Sequence, residues 1–131
     1  MTLEEAMAMR LAAACSLDEL ADPLEHLLTG SYAVFRGRLR HIRVRVDQTC
    51  GLRIEVYPNE HPPPHFHVRG PGINASFTVE DCVHLSGDID GRKRELIEWW
   101  HVRARDRLIA VWNRTRPTDC PVGAIVTSSG A

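Results

Sequence analysis

The stretch His61-Pro62-Pro63-Pro64-His65-Phe66-His67-Val68-Arg69 decides how the central part of this chain can fold. Proline has a fixed φ and no backbone N–H, so the three prolines predict an extended segment that donates no hydrogen bonds. From His65 onward the chain can enter a sheet, where residues two apart point to the same face. The pattern therefore predicts a strand with Phe66 and Val68 toward the core. His65 and His67 then lie together on the opposite face.

Alternation of apolar and polar residues predicts further strands on both sides of this segment. With the central strand included, they cover residues 39–46, 52–57, 65–69, 75–79 and 82–85. Turns are predicted at Cys50-Gly51, at Gly70-Pro71-Gly72 and at Gly87–Gly91, where glycine or proline interrupts the alternation. Short connections of this kind favour antiparallel pairing of neighbouring strands.

Helix patterns occupy the two ends of the chain. Thr2 with Glu5, and Ser16 with Glu19, form capping-box patterns that begin helices. Asp22-Pro23 predicts a further N-cap with a proline in the first turn of a helix that ends at Gly30. Residues 92–114 predict the longest helix, because their apolar residues recur at spacings of three and four. These are Leu96, Ile97, Trp100, Ala104, Leu108, Val111 and Trp112.

The predicted fold is α+β: a small, mostly antiparallel sheet packed against one long C-terminal helix, with short N-terminal helices. We expect a helical N-terminal arm in residues 1–37, an α+β domain with the histidine motif in residues 38–116, and a mostly flexible tail in residues 117–131. The N-terminal helices have apolar stripes, which need a covering surface on the sheet or on another protein.

Composition restricts the class of protein more than its function. The 131 residues contain no apolar run long enough for a membrane span, and the N-terminus is acidic, unlike a signal peptide. We therefore expect a cytoplasmic protein without a membrane partner, whose four widely spaced cysteines are structural thiols. Residues 1–30, 31–57, 58–91 and 92–116 have net charges of −5, +4, −4 and +5. Such blocks can neutralise one another within the fold, so the charge pattern is compatible with a nucleic-acid surface but does not establish one.

The segment Pro63-Pro64-His65-Phe66-His67, followed by short strands and a helix with Trp100, Leu108 and Trp112, resembles a small prokaryotic family called domain of unknown function 4160. The resemblance covers about residues 52–115. It implies a setting like that of toxin–antitoxin gene pairs or defence systems, with a cognate protein encoded by a neighbouring gene. It implies no established activity for the histidines. The helical extension in residues 1–37 and the segment His84-Leu85-Ser86 depart from the family pattern.

Two histidines on one strand face are typical of general acid–base chemistry, since the reference pKa of imidazole is about 6.5. One hypothesis is that His65 and His67 are catalytic and bind or cleave RNA without a metal ion. One histidine would take the proton of a 2′-hydroxyl, and the other would protonate the leaving oxygen. Arginine and tyrosine side chains would bind the substrate. The candidates are Arg69, Tyr57, Arg43 and Arg45.

Three alternatives remain open at this stage. His65, His67 and His61 could bind a divalent metal ion, with Glu60 or His84 as other third ligands. The proline segment and the histidine face could instead form a docking edge of a non-enzymatic interaction module. In a purely structural role, the imidazoles would hydrogen-bond backbone groups and hold the proline segment against the sheet. The sequence does not decide whether the protein is an enzyme, nor its oligomeric state.

Overall fold

The computed structural model of the chain describes residues 1–42, 51–57, 63–115 and 125. Within these residues it contains three helices and six strands. In chain order they are α1 (Leu3–Ala13), α2 (Leu17–Thr29), β1 (Tyr32–Phe35), β2 (Arg38–His41), β3 (Arg53–Glu55), β4 (His65–Gly70), β5 (Ile73–Thr78), β6 (His84–Ser86) and α3 (Gly91–Arg114).

The described strands form two antiparallel sheets. β1 pairs with β2 in a hairpin, and the other four pair in the order β3-β4-β5-β6. In β4, Phe66 and Val68 are fully buried, as their alternation predicted. The Phe66 ring centroid lies 5.8 Å from the Trp100 ring of α3 and 6.2 Å from the His101 ring, so the long helix packs on this sheet. The predicted α+β class is confirmed.

The N-terminal helices begin at the predicted caps. Thr2 and Glu5 form a complete capping box at α1, and the Ser16 side chain accepts a hydrogen bond from Glu19 N at α2. The prediction that Pro23 lies in a first helical turn is wrong, because α2 begins at Leu17 and continues through Pro23 to Thr29. Proline cannot donate to the carbonyl four residues back. Burial of the surrounding leucines, and of Pro23 itself, outweighs that loss.

All seven apolar residues predicted for the buried face of α3 are buried, and α1 and α2 contribute to the same hydrophobic cluster. Trp100 Nε1 donates to Leu20 O over 2.9 Å, which ties α3 to α2 inside this core. Trp99 and His101 are also buried, although the sequence pattern placed neither on the apolar face.

Several predictions fall on residues outside the described ones. They concern the strand with Val44 and Val46, the turn residue Cys50, and the tail after Pro117. The three-part division of the chain stays a prediction, although residues 32–35 of the expected helical arm form strand β1. No helix in residues 1–42 or 63–115 is long and apolar enough to cross a membrane.

The two cysteines that the structure describes are free thiols in different environments. Cys15 is exposed and Cys82 is buried. Burial raises the pKa of Cys82 to about 12, with the nearby Glu98 carboxylate as a second cause. A thiol that stays protonated is a poor nucleophile, so Cys82 has the structural character predicted for it.

Candidate functional site

Strand β4 brings the two motif histidines together. The ring centroids of His65 and His67 lie 5.2 Å apart at an interplanar angle of 63°. Both residues lie on the face of β4 opposite Phe66 and Val68, because their positions alternate along the strand. Two rings this close can both contact one small ligand group, such as a phosphate.

His65 is the more buried of the pair, with 5% of its surface exposed. Its Nδ1 lies 2.8 Å from Pro63 O. A carbonyl oxygen only accepts hydrogen bonds, so Nδ1 donates the proton and the neutral ring has its basic nitrogen at Nε2. The same bond fits the structural role considered for this histidine, since it holds the end of the proline segment. A backbone carbonyl at Nδ1 is also what fixes the tautomer of a functional imidazole.

The proline segment is tied to the sheet at a second point. Val79 N, just after β5, donates to Pro64 O over 2.9 Å. The carbonyls of Pro63 and Pro64 are therefore both bonded, one to a side chain and one to backbone. The position of His65 relative to the segment is fixed by these two contacts.

Glu55 organises the side of the site next to His67. It pairs with His67 across strands β3 and β4. Its Oε2 accepts a hydrogen bond from the Tyr57 hydroxyl at 2.8 Å, and its Oε1 lies 3.5 Å from Arg69 Nε in an ion pair. One carboxylate thus orients both Tyr57 and Arg69 beside the histidines.

Tyr57 and Arg69, both predicted to bind substrate, lie within this cluster. The Tyr57 ring centroid is 5.0 Å from that of His67, and the Arg69 guanidinium carbon is 5.9 Å from the Tyr57 ring centroid. The contact between Arg69 and Glu55 lacks hydrogen-bond geometry, since among the described residues neither Arg69 Nε nor Glu55 Oε1 has a hydrogen-bond partner. The Arg69 side chain is 39% exposed, which leaves its guanidinium accessible to an anion.

Two serines continue the polar face on the other side of His67. His67 pairs with Ser76 of β5, and Ser76 pairs with Ser86 of β6. Their hydroxyl oxygens are 2.6 Å apart, and Ser76 is buried. A row of polar residues therefore crosses all four strands from Glu55 through His67 to the two serines. Sequence reasoning left Glu55, Ser76 and Ser86 out of the site. Their alternation with apolar residues indicated which face of the sheet they occupy, but it did not predict the pairing register between the strands.

Other predicted site residues are placed elsewhere or lie outside the described residues. Arg43, Arg45, His61 and Glu60 belong to the undescribed segments. His84 does not join the pair, since its ring lies 5.3 Å from Phe77 and its Nε2 is 3.0 Å from Ser86 O. Within the described ranges no group of three His, Cys, Asp or Glu side chains could hold a metal ion.

A further histidine, His101, is buried behind the site against Phe66. Its Nε2 donates to Val79 O over 2.6 Å. Burial lowers the pKa of His101 below 6.5, while the Val79 hydrogen bond acts in the opposite direction. Arg105 lowers this pKa further, and Asp81 raises it. The folded protein therefore holds this imidazole neutral more strongly than the unfolded chain does.

We expect His101 to make the protein less stable in acid. The unfolded chain binds the proton at higher pH than the folded protein, so stability is lost as the pH falls below about 6.5 toward the folded pKa. His101→Gln retains a donor for Val79 O but cannot titrate. Urea denaturation at pH 5, 6 and 7 should show a smaller loss of stability for this variant than for the wild type. The exposed His26, changed to Gln, is the matched control. An unchanged pH dependence in His101→Gln would contradict the prediction.

Comparison with known proteins identifies one family. Residues 51–113 match the family described as "Domain of unknown function (DUF4160)". The chain therefore resembles this family over β3 to β6 and almost all of α3, just under half of its length. No curated protein matches the chain. No solved structure matches it either.

Proposed function

We propose that the face formed by His65, His67, Tyr57 and Arg69 binds RNA and cleaves it by metal-independent acid–base chemistry. The observation that carries the proposal is the His65–His67 pair, in which the tautomer of His65 is fixed by Pro63 O and the rings are 5.2 Å apart. We further propose that this activity serves a toxin–antitoxin-like or defence system in the cytoplasm.

The proposed reaction uses the two histidines in opposite roles. His65 Nε2 takes the proton of the ribose 2′-hydroxyl, and the 2′-oxygen bonds to phosphorus. The bond between phosphorus and the 5′-oxygen breaks, while protonated His67 gives its proton to that oxygen. The products are a 2′,3′-cyclic phosphate and a free 5′-hydroxyl. RNA is required, because DNA has no 2′-hydroxyl.

Arg69 and Tyr57 would hold the substrate in this reaction. The guanidinium of Arg69 can donate to phosphate oxygens, while its ion pair with Glu55 limits the positive charge that it offers. The Tyr57 ring beside His67 offers a surface on which an unpaired base can stack. A single-stranded RNA fits these two contacts better than a duplex, whose bases are already stacked.

The test is cleavage of a labelled single-stranded RNA in the presence of EDTA. We expect wild-type protein to give the cyclic phosphate, and His67→Ala to lower the rate by about 10²-fold or more. His65→Asn is the sharper variant, because its amide can still donate to Pro63 O but has no basic nitrogen. It should fold like the wild type and lose a similar factor in rate. His26→Ala should retain full activity.

Three outcomes would overturn the cleavage proposal. The first is a wild type that does not cleave, and the second is full activity in His65→Asn. The third is activity that EDTA abolishes, which would favour the metal alternative. If the wild type binds RNA without cleaving it, and Arg69→Ala weakens that binding, the site is a binding site only.

A further inference from the structure

Pro64 removes one hydrogen bond from the end of the β4–β5 ladder. His65 lies opposite Thr78 in this antiparallel pair, so Pro64 and Val79 occupy the next opposed positions. Val79 N donates to Pro64 O over 2.9 Å, which is one of the two bonds that such a pair normally exchanges. The second bond would run from the nitrogen of Pro64 to Val79 O, but proline has no N–H. Val79 O therefore needs a donor from elsewhere in the fold.

His101 of α3 is that donor. Its Nε2 lies 2.6 Å from Val79 O, and a carbonyl oxygen only accepts, so Nε2 carries the proton. His101 is 4% exposed and Val79 is fully buried. A buried carbonyl left without a hydrogen bond is costly. The side chain of His101 thus replaces the backbone donor that Pro64 lacks.

The long helix holds the segment after β5 at a second point as well. Arg105 Nε donates to Glu80 O over 2.8 Å, so two consecutive carbonyls accept from α3. His101 and Arg105 are four residues apart and therefore lie on the same face of the helix. The His101 ring also lies nearly parallel to the ring of Phe66, at an angle of 7°. His101 therefore contacts β4 and the segment after β5 on the core side of the sheet.

This arrangement reaches the candidate site through the proline segment. His101 holds Val79, and Val79 N holds Pro64 O. The preceding carbonyl, Pro63 O, lies 2.8 Å from Nδ1 of His65 and accepts its proton in a hydrogen bond. A neutral imidazole has one ring proton, and the bond that one nitrogen makes determines where this proton lies. A shift of the proline segment would therefore release the tautomer of His65.

We propose that His101 is a positioning residue for His65. It donates to Val79 O in place of Pro64 and so holds the proline segment. Pro63 O then keeps the proton of His65 on Nδ1, which leaves Nε2 basic. The catalytic consequence rests on the proposed function, whereas the effect on the tautomer of His65 does not.

The first test measures the tautomer of His65 by NMR, from the ¹⁵N chemical shifts of its ring at about pH 8, where imidazoles are mainly neutral. His65→Asn identifies these signals by their disappearance. We expect the Nδ1–H form in the wild type. His101→Leu keeps an apolar side chain at this position but has no donor, and should give a mixture of both tautomers. His101→Gln retains a donor and should retain the Nδ1–H form.

Pro64→Ala tests the reason that a side-chain donor is needed. Alanine has the backbone N–H that the ladder lacks at this position, so it can donate to Val79 O itself. In a Pro64→Ala protein, His101→Leu should therefore leave the tautomer of His65 unchanged. Leu108→Ala is the control for lost stability, because it changes a fully buried residue two turns further along α3. It should destabilise the protein without changing the tautomer.

The second test measures RNA cleavage by the same variants. His101→Leu should lower kcat about tenfold and change KM little, because His101 orients a catalytic group and lies on the core side of the sheet. His101→Gln should retain most of the activity. A wild type that does not cleave RNA overturns the proposed function, and the tautomer measurement then decides the positioning role alone.

Three results would overturn the positioning role. The first is a folded His101→Leu protein that keeps the Nδ1–H form of His65. The second is an equal effect of His101→Leu with proline or alanine at position 64. If His101→Leu does not fold, the double variant with Pro64→Ala should fold and show the Nδ1–H form. Failure of both proteins to fold is the third result, since His101 would then be required for a reason other than the missing ladder bond.

Discussion

Replacing Trp100 by alanine is expected to lower the free energy of unfolding by about 3–5 kcal/mol, the range for a large aromatic side chain removed from a core. Trp100 is fully buried and packs against Phe66 of the central strand. Its indole N–H also bonds to Leu20 O, so the substitution removes both apolar contact and a link between α3 and α2. The change in the urea denaturation midpoint measures the effect.

Replacing each of the two adjacent tryptophans by phenylalanine, in separate variants, distinguishes the effect of a lost hydrogen bond from the effect of lost side-chain volume. Trp100→Phe removes the donor of the Leu20 bond, whereas Trp99→Phe removes an N–H that has no partner in the described part of the chain. We expect the first variant to be less stable than the second by about 1 kcal/mol, the value of one hydrogen bond. Equal losses in the two variants would contradict the assignment of the two indoles.

Gly87→Ala is expected to destabilise the protein by about 3 kcal/mol. Gly87 has φ +85°, a conformation that costs an L-residue about 1–2 kcal/mol. A Cβ there would also collide with Asn74 O and come within 2.8 Å of Ala75 Cα, both backbone atoms of β5. Backbone in a paired strand cannot move aside cheaply, so strand β5 or the turn after β6 must shift. Thermal or urea denaturation measures the loss.

Gly72→Ala is the matched control for that substitution. Gly72 has a similar φ of +77°, but a Cβ there would meet nothing within 4 Å. Its cost should be limited to the backbone conformation, about 1–2 kcal/mol. A Gly72 variant as unstable as the Gly87 variant would show that close packing against β5 is not the cause.

Local sequence patterns correctly predicted helix starts and the buried faces of a strand and a helix. The Thr2 and Ser16 caps, the alternation in β4 and the apolar face of α3 are confirmed, because each depends on neighbours within a few residues. Pro23 was misplaced, because the proline signal is local while the burial that keeps α2 continuous comes from distant residues. Trp99 was predicted to be a core or helix-edge residue and is buried, although it stands outside the apolar spacing that predicted the buried face of α3.

The sequence alone predicted only part of the candidate site. Alternation along one strand sufficed to place His65 and His67 on a common face. Glu55 and Ser76 flank His67 only because of the pairing register between strands, which a single sequence does not state. The tautomer of His65 depends in turn on the position of Pro63 O, which the sequence does not predict.

The hydrogen bond between Trp100 and Leu20 joins the segment that matches the family to a helix that precedes this segment in the chain. The matched family segment begins at residue 51, yet the carbonyl that satisfies its central tryptophan belongs to α2. Fully buried leucines of α1 and α2 complete the same core; they are Leu11, Leu20, Leu24 and Leu27. If the chain were cut at the boundaries of the family match, the indole N–H of Trp100 would lose its Leu20 acceptor. The apolar surface that α1 and α2 cover would then be exposed to water. A gene fragment for crystallisation or display should therefore begin before α1.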